Sequence, residues 1–385
     1  MMMDGIKESS EDLDHRTLRS NIRRFLEKEA KPHFNQWEDE GQIPRGFWQH
    51  LGEMGYLGLG VPEGYGGLGL DFTYLAVFVE ELERIGSSLN GISLHVGIVL
   101  PYLLRYGTDM QKQRWVPRCI SGNCVGAIAM TEPGTGSDLK AIQTYAERQD
   151  HSYRIKGHKT FITNGNSADL IIVVCKSESV DDVKRAMSLM VVESGTPGFV
   201  KGRKLRKMGL WAEDTAELHF DECLVSDTHV LGEPGHGFRY LSENLPQERL
   251  LVAVESLVAA EEILAMTLSY VQQRTVFGQH LSKFQNTRFK LAEIATHVTI
   301  AREFVGSLIS RHAQGTVSSE EAAMAKWWVT DMAQQAAMEC LQLFGGYGYM
   351  EEYPIARRYR DITVSKIYAG TNEIMKTIIA KGLGL

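Results

Sequence analysis

The chain has 385 residues, 43% of them hydrophobic and 23% charged, with a formal net charge of −7. This is an ordinary soluble globular composition, with length enough for a large core and two or three domains. No lysine/arginine stripe extends beyond local clusters such as Lys201 to Lys207, so no nucleic-acid partner is indicated.

The first zone, residues 1–125, reads as helices broken by short loops. Ser10 followed by Glu11 and Asp12 marks a helix start, leading into Leu18, Ile22, Phe25 and Leu26 at helical spacing. Asp71 opens a second helix with Phe72, Leu75, Val79, Leu82 and Ile85 on one face. A third, apolar and rich in small residues, covers ISLHVGIVLPYLLRYG (92–107). The opening MMMDGIKESSEDLDH lacks both a secretory apolar core and the Arg-rich, acid-poor character of a transit peptide. No apolar run reaches about 18 residues, so no membrane span is expected. The expectation is a cytoplasmic protein, with the mitochondrial matrix as the alternative if a transit peptide has been removed.

From 126 to 235 glycine and proline recur between β-type runs: SYRIKGHKTFIT, DLIIVVCK, MSLMVVES and TAELHFDECLV. Strands and turns at this spacing predict a β domain, sandwich or barrel. From 236 to 385 long helical patterns return. Pro246 suits a helix first turn, and Leu250, Val254, Leu257, Leu264, Leu268 and Val271 follow on one pattern. Two more patterns run over 281–313 and 318–344, then a short closing one, which predicts a four-helix bundle. The fold class expected is therefore α+β and multi-domain, in the order helical domain, β domain, helical bundle.

Five scattered cysteines (Cys119, Cys124, Cys175, Cys223, Cys340) include no CxxC pair and read as reduced thiols. The twelve histidines lack HExxH-like spacing, so no metal is expected. GYGGLG (64–69) fits G-x-G-x-x-G, but no good strand precedes it and no βαβ unit follows. It reads as a surface turn before the Asp71 helix. AMTEPGTGSD (129–138) has no P-loop lysine. Its backbone amides and the hydroxyls of Thr131 and Ser137, in a turn set by Pro133, Gly134 and Gly136, suit either a plain polar turn or the edge of a planar heterocycle.

AMTEPGTGSD closely resembles one signature of the acyl-CoA dehydrogenase family. QLFGGYGYMEEYPIARRYRD with KIYAGTNEIMK resembles a second, and KTFITNG (159–165) and RTVFGQHLSKFQ (274–285) fall at family-like positions between them. The resemblance covers nearly the whole chain. MGLWAEDTAELHF, ENLPQERLL and IYAGTNEIMK are most similar to the long-chain type.

The resemblance implies FAD as cofactor, with Met130, Thr131, Phe161 and Thr163 around the flavin ring. Phe161 stands where a tryptophan is common, keeping an aromatic face but losing the indole N–H. Arg274, Phe277 and Gln285 of one subunit, with Gln342 and Gly346 of a neighbour, would take the pyrophosphate and adenine. Thr371 and Glu373 would lie near the cofactor. Elements shared between subunits imply a homotetramer, and electron-transfer flavoprotein is the implied acceptor.

In many family members the residue between tyrosine and glycine in IYAGT is the glutamate that takes the substrate proton. Here it is Ala369, between Tyr368 and Gly370. Its N–H survives and, by the resemblance, binds the thioester oxygen. A few members, the long-chain and isovaleryl types among them, place the base elsewhere, immediately before an arginine. That position holds Glu248, before Arg249. Helix-start rules alone would make Glu248 an ordinary first-turn acid, but with position 369 vacated it becomes the expected base. Glu373 is a weaker rival. Glu352 and Asp361 are expected in local ion pairs.

The smaller side chain at 369 leaves room for long straight or methyl-branched acyl groups, isovaleryl or citronellyl-like, and Gly91, Ser93 and Gly97 are expected to deepen the pocket. The function expected is α,β-dehydrogenation of such an acyl-CoA in fatty acid β-oxidation. An acyl-CoA oxidase using oxygen, and a non-catalytic acyl-CoA- or FAD-binding oligomer, are the competing readings.

Overall fold

The computed structural model describes residues 13–177 and 186–385, so the helix start at Ser10 lies outside the described residues. The helical region opens with α1 (Leu13–Glu29), α2 (Phe34–Glu40), α3 (Arg45–Glu53) and α4 (Phe72–Ile85). Ile22 and Leu26 of α1 are fully buried. Asp71 caps α4 by accepting the Thr73 N–H at 2.8 Å. GYGGLG forms a turn before that cap, with Gly66 and Gly69 at positive φ.

The third predicted helix is not uniform. α5 (Asn90–Leu94) widens into a π-turn over His95–Val99 before α6 (Leu100–Tyr106). π-turns gather at functional positions. Here the Gln247 side chain bonds the Gly97 carbonyl at 2.6 Å. His95 is buried, accepting the Gly126 N–H at 2.9 Å and meeting the Cys119 carbonyl at 3.2 Å; burial lowers its pKa to about 4. The stretch Ser87–Tyr106 is long and apolar enough to cross a membrane by composition, yet 72% of its most apolar window is buried within this fold. It reads as a core helix. α7 (Asp109–Ile120), opened by a Thr108/Gln111 capping box, completes the region.

The β region forms one sheet of eight strands, β1 (Gly126–Ala129), β2 (Tyr145–Gln149), β3 (Ser152–Thr163), β4 (Leu170–Lys176), β5 (Met187–Glu193), β6 (Phe199–Lys204), β7 (Thr215–Ser226) and β8 (Val230–Leu231). Their order is β6-β7-β3-β2-β4-β5-β8, with β1 parallel to β4. Ile171 and Val173 of β4 share a core with Ile155 of β3 and Leu218 of β7, so the sheet folds across itself. Leu170, Ile172 and Val174 face the other way, into the helical core. β4 is therefore buried on both faces, which explains why its sequence is a continuous apolar run and not an alternation.

The last region comprises α8 (Gly237–Gln273), a two-stranded hairpin of β9 (Thr275–Val276) and β10 (Gln279–His280), α9 (Gln285–Ala313), α10 (Ser319–Phe344), α11 (Pro354–Ile362) and α12 (Asn372–Gly382). α8 packs along α9 and α10, and α12 closes against α10. A Ser318/Glu321 capping box starts α10. Pro246 does not open α8. The helix begins at Gly237 and Pro246 is interior, where it removes the N–H that would bond the Ser242 carbonyl.

The arginines of α11 reach across the chain: Arg357 to Glu38 at 2.8 Å and Arg358 to Glu83 at 2.6 Å. Asp361 accepts the Leu210 N–H at 2.7 Å and meets Arg360 only at 3.9 Å, so its main use is a backbone contact. Glu352 has no ion pair among the described residues, where Glu351 pairs with Arg360 at 2.5 Å.

Candidate active site

The π-turn helix, α8, the first edge of the sheet and the corner before α12 enclose a cavity of about 250 Å³. From the sheet side come Met130, Thr131, Ser137, Phe161 and Thr163; from the helical side come Glu248, Arg249, Tyr368, Ala369 and Gly370.

Glu248 projects from the interior of α8, about three turns past its start at 3.6 residues per turn. The helix dipole acts within the first turn, so it does not account for an acid here. Glu248 is 5% exposed and accepts a hydrogen bond from the Tyr102 hydroxyl at 3.1 Å. Burial raises its pKa to about 7, while the Tyr102 bond and the Arg249 charge pull it partway back. Arg249 is buried too. It donates to Ser319 Oγ at 3.3 Å, and its Nε is buried without a partner.

The corner is built from two successive left-handed residues, Ala369 at φ 53° and Gly370 at φ 89°. A non-glycine residue there costs about 1–2 kcal/mol, so the surroundings must hold it. The fully buried Lys326 does so, donating to the Gly370 carbonyl at 2.8 Å and to Asn372 Oδ1 at 2.9 Å. Burial, then the Arg249 charge, lowers the Lys326 pKa to about 8. Thr371 caps α12 through the Ile374 N–H. The Ala369 N–H meets no acceptor among the described residues.

On the sheet side, Phe161 sits at a register shift of β3 with φ 58° and is 67% exposed. An aromatic ring held out of the core in a left-handed conformation is unusual and offers a flat face beside the cavity. The AMTEPGTGSD turn is pinned by reciprocal Glu132–Thr135 backbone bonds and by Lys159, which donates to the Met130 carbonyl at 2.9 Å and to Glu132 at 2.8 Å. Met130 and Thr131 are thereby fixed against β3.

A separate groove of about 460 Å³ collects Arg274, Gln342 and Gly346. Arg274 lies 5.6 Å over the Tyr347 ring and is in no ion pair among the described residues. No atom lies within 4 Å of where a Cβ would stand on Gly345 or Gly346. The sequence reading divided this set between two subunits; within a single chain, Arg274, Gln342 and Gly346 already share one groove. Phe277 is 96% exposed at the hairpin tip, and exposed Gln285 opens α9; neither lines the groove or the cavity. Thr371 and Glu373 also line neither. Glu373 is exposed, with its carboxyl held below its ordinary range by its own backbone N–H and the Thr371 hydroxyl.

Of the small residues expected to deepen the pocket, only Ser93 lines it. A Cβ on Gly91 would strike Asn164 and one on Gly97 would strike Leu251, so both serve helix packing. The sequence reading missed Tyr102, Lys326, Glu213 and Glu255. The first two act through contacts remote in sequence, but Glu255, seven residues after Glu248, is legible from helical periodicity. Linear spacing also hid the grouping of His158, Glu217 and His219, whose possible ligand atoms lie within 4.8 Å of one another across β3 and β7.

These residues fit a flavin dinucleotide. Among the described residues, the cavity presents an N–H at Ala369 with no acceptor and an aromatic face at Phe161, and the groove offers a guanidinium in no ion pair beside an open glycine cradle.

Comparison with known proteins agrees. The chain matches the acyl-CoA dehydrogenase N-terminal domain over residues 12–123, the middle domain over 127–223 and the C-terminal domain over 235–384. It is 44% identical to the mitochondrial long-chain specific acyl-CoA dehydrogenase of Mus musculus, covering 96% of this chain and 86% of that one. It is 34% identical to the mitochondrial isovaleryl-CoA dehydrogenase of Solanum tuberosum, covering 97% and 91%. The crystal structure of an acyl-CoA dehydrogenase from Geobacillus kaustophilus superposes with a TM-score of 0.97 at 54% identity, covering 98% and 100%. The chain belongs to the acyl-CoA dehydrogenase family, oxidoreductases acting on acyl-CoA thioesters.

Proposed function

We propose that this enzyme removes the Cα proton of an acyl-CoA with Glu248 and yields the trans-2-enoyl-CoA. The observation that carries the reading is Glu248, a buried carboxyl on the cavity wall that accepts the Tyr102 hydroxyl and whose pKa, about 7, suits proton abstraction at neutral pH. Bound FAD supplies the acceptor for the Cβ hydride. Met130, Thr131, Phe161 and Thr163 would hold its ring from the sheet side of the cavity, and Arg274, Gln342 and Gly346 of the groove would take its pyrophosphate and adenine. Glu248, in its carboxylate form, takes the proton from Cα. The electron pair of that C–H bond becomes the new double bond. The Ala369 N–H donates to the thioester oxygen as negative charge develops there. Tyr102 holds the carboxylate in place, and the enclosing helices keep water from competing for it.

The methyl of Ala369 leaves space beside the reacting carbons for long straight or methyl-branched chains. Similarity to a long-chain and to an isovaleryl-CoA dehydrogenase supports both classes. Electron-transfer flavoprotein as acceptor, a homotetramer completing each cofactor site around the exposed Phe277, a role in fatty acid β-oxidation, and a cytoplasmic or matrix location complete the proposal.

The test is Glu248→Gln. The variant should keep FAD and bind acyl-CoA, while anaerobic flavin reduction slows by at least ~100-fold, the lower end for loss of a general base. Reduction at the wild-type rate would falsify the assignment.

A further inference from the structure

The cavity contains two further carboxyls that the proposed reaction does not use, Glu213 and Glu255; Glu213 pairs with Lys207 and Glu255 does not. Glu255 follows Glu248 by seven residues on α8, so the two project from the same helix face about 10.5 Å apart along the axis at 1.5 Å per residue. Both line the same cavity, and Glu255 is 6% exposed. The surroundings of the two acids differ. Around Glu248 the cavity wall is largely aliphatic, with Leu245, Leu251 and Val252 nearby on the same helix. Around Glu255 it is polar. The hydroxyls of Ser93 and Tyr368 hydrogen-bond its carboxyl, and Asn90 Nδ2 donates to the Tyr368 oxygen at 3.4 Å.

No lysine or arginine is within ion-pair distance of Glu255 among the described residues. The charged groups that bear on it, Glu83 and Glu213, are themselves acids. Burial and like charge therefore keep it in the neutral form, far above the ordinary carboxyl range. A neutral carboxyl has one O–H to donate. Ser93 and Tyr368 bond Glu255, Asn90 donates to the Tyr368 oxygen, and the Glu255 O–H adds a donor to this polar cluster on the cavity wall.

We propose that Glu255, with Ser93 and Tyr368, forms a hydrogen-bonding subsite in the acyl pocket, and that the substrates are acyl-CoA thioesters carrying an oxygen function, a hydroxyl or a carbonyl, along the chain well beyond Cβ. The inference rests on the reading of this cavity as the acyl site. A plain methylene chain lying against Glu255 offers this polar cluster no hydrogen bond, a disadvantage of roughly ten- to a hundredfold in binding against a chain that does. An oxygen at the matching carbon removes it.

The experiment measures anaerobic flavin reduction in the intact holoenzyme. It uses acyl-CoA pairs of equal length, with and without a hydroxyl moved carbon by carbon outward from Cγ. At one position, or two adjacent ones, the hydroxylated thioester should exceed its alkyl parent in kcat/KM by about tenfold or more. Glu255→Gln, whose amide still donates, should retain that preference, and Glu255→Leu should abolish or invert it. A wild-type enzyme that prefers the alkyl member at every position overturns the subsite without needing any variant. So does a preference that survives Glu255→Leu. Flavin reduced by no thioester in the panel overturns the dehydrogenase reading itself, and the subsite with it; reduction by alkyl thioesters alone overturns the subsite and leaves the dehydrogenase standing.

Discussion

Glu248 is 5% exposed on a helix buried nearly all round, whereas Arg274 is solvent-exposed at a helix end beside a hairpin whose Phe277 is 96% exposed. Both are charged-type residues that the family resemblance marks as functional, and the fold treats them in opposite ways. Abstraction of a Cα proton needs a carboxyl whose basicity has been raised, and desolvation is the means. Burial alone would overshoot, so the Tyr102 hydroxyl and Arg249 hold Glu248 at about 7. On the proposed reading, pyrophosphate recognition needs a guanidinium that stays charged and reachable, and Arg274, exposed beside an open glycine cradle, would provide it. The cavity residues all come from one chain, and beside the groove the Phe277 ring of the hairpin is exposed.

The difference can be broken from either side, beginning with the groove. Arg274→Ala removes charge-assisted bonds worth about 1.5–3 kcal/mol, so FAD affinity should fall roughly ten- to a hundredfold. The rate of reduction at saturating FAD should hold near wild type. Equilibrium dialysis against free FAD measures the first and stopped-flow absorbance the second. Unaltered affinity would remove Arg274 from the cofactor site.

The next effect is on stability. The folded Glu248 pKa, about 7, is above its ordinary 4.5. Its contribution is therefore fully present below 4.5 and is lost as pH rises through 7. Glu248→Gln cannot ionise at that position, so its unfolding free energy, followed by thermal melting, should gain on wild type between pH 5 and pH 8 by on the order of 2 kcal/mol. Parallel curves for the two proteins would mean that Glu248 titrates as a solvated acid, and the contrast with Arg274 would dissolve.

Most of the architecture was legible because local patterns carry it. The run SYRIKGHKTFIT is β3 residue for residue, and Asp71 marks a real cap. Misreadings arose where a local rule met a tertiary override. Pro246 reads as a helix opener, yet α8 starts nine residues earlier, and that error made Glu248 look like a first-turn acid. The π-turn at His95–Val99 depends on a glutamine 150 residues away bonding the Gly97 carbonyl, which no window on the sequence contains. The site divides in the same way. The motif-borne residues Met130, Thr131, Phe161, Thr163, Ala369 and Gly370 share one cavity with Glu248. Phe277, Gln285, Thr371 and Glu373 came from the same motifs and lie outside it, because motif membership carries no information about which way a side chain faces. Tyr102 and Lys326, which bond the Glu248 carboxyl and the Gly370 carbonyl, bear no motif at all.

Tyr102→Phe probes the smallest of these effects and the one most specific to the cavity. The Tyr102 O–H donates to Glu248, a bond that favours the carboxylate. Without it the Glu248 pKa rises further, by about 1 unit if the bond contributes roughly 1.4 kcal/mol. On the proposed mechanism flavin reduction requires the Glu248 carboxylate, so its rate should climb with pH through the Glu248 pKa and level off above it. The variant's rising limb should therefore shift to higher pH: near pH 6 it is about tenfold slower than wild type, and near pH 9 the two rates converge. A limb that stays put, or moves to lower pH, means that Tyr102 does not hold the base. A uniform loss at every pH indicates disturbed packing and not an altered proton affinity. Because phenylalanine keeps the ring and removes only the hydroxyl, the convergence at high pH is the part of the curve that a packing defect cannot imitate.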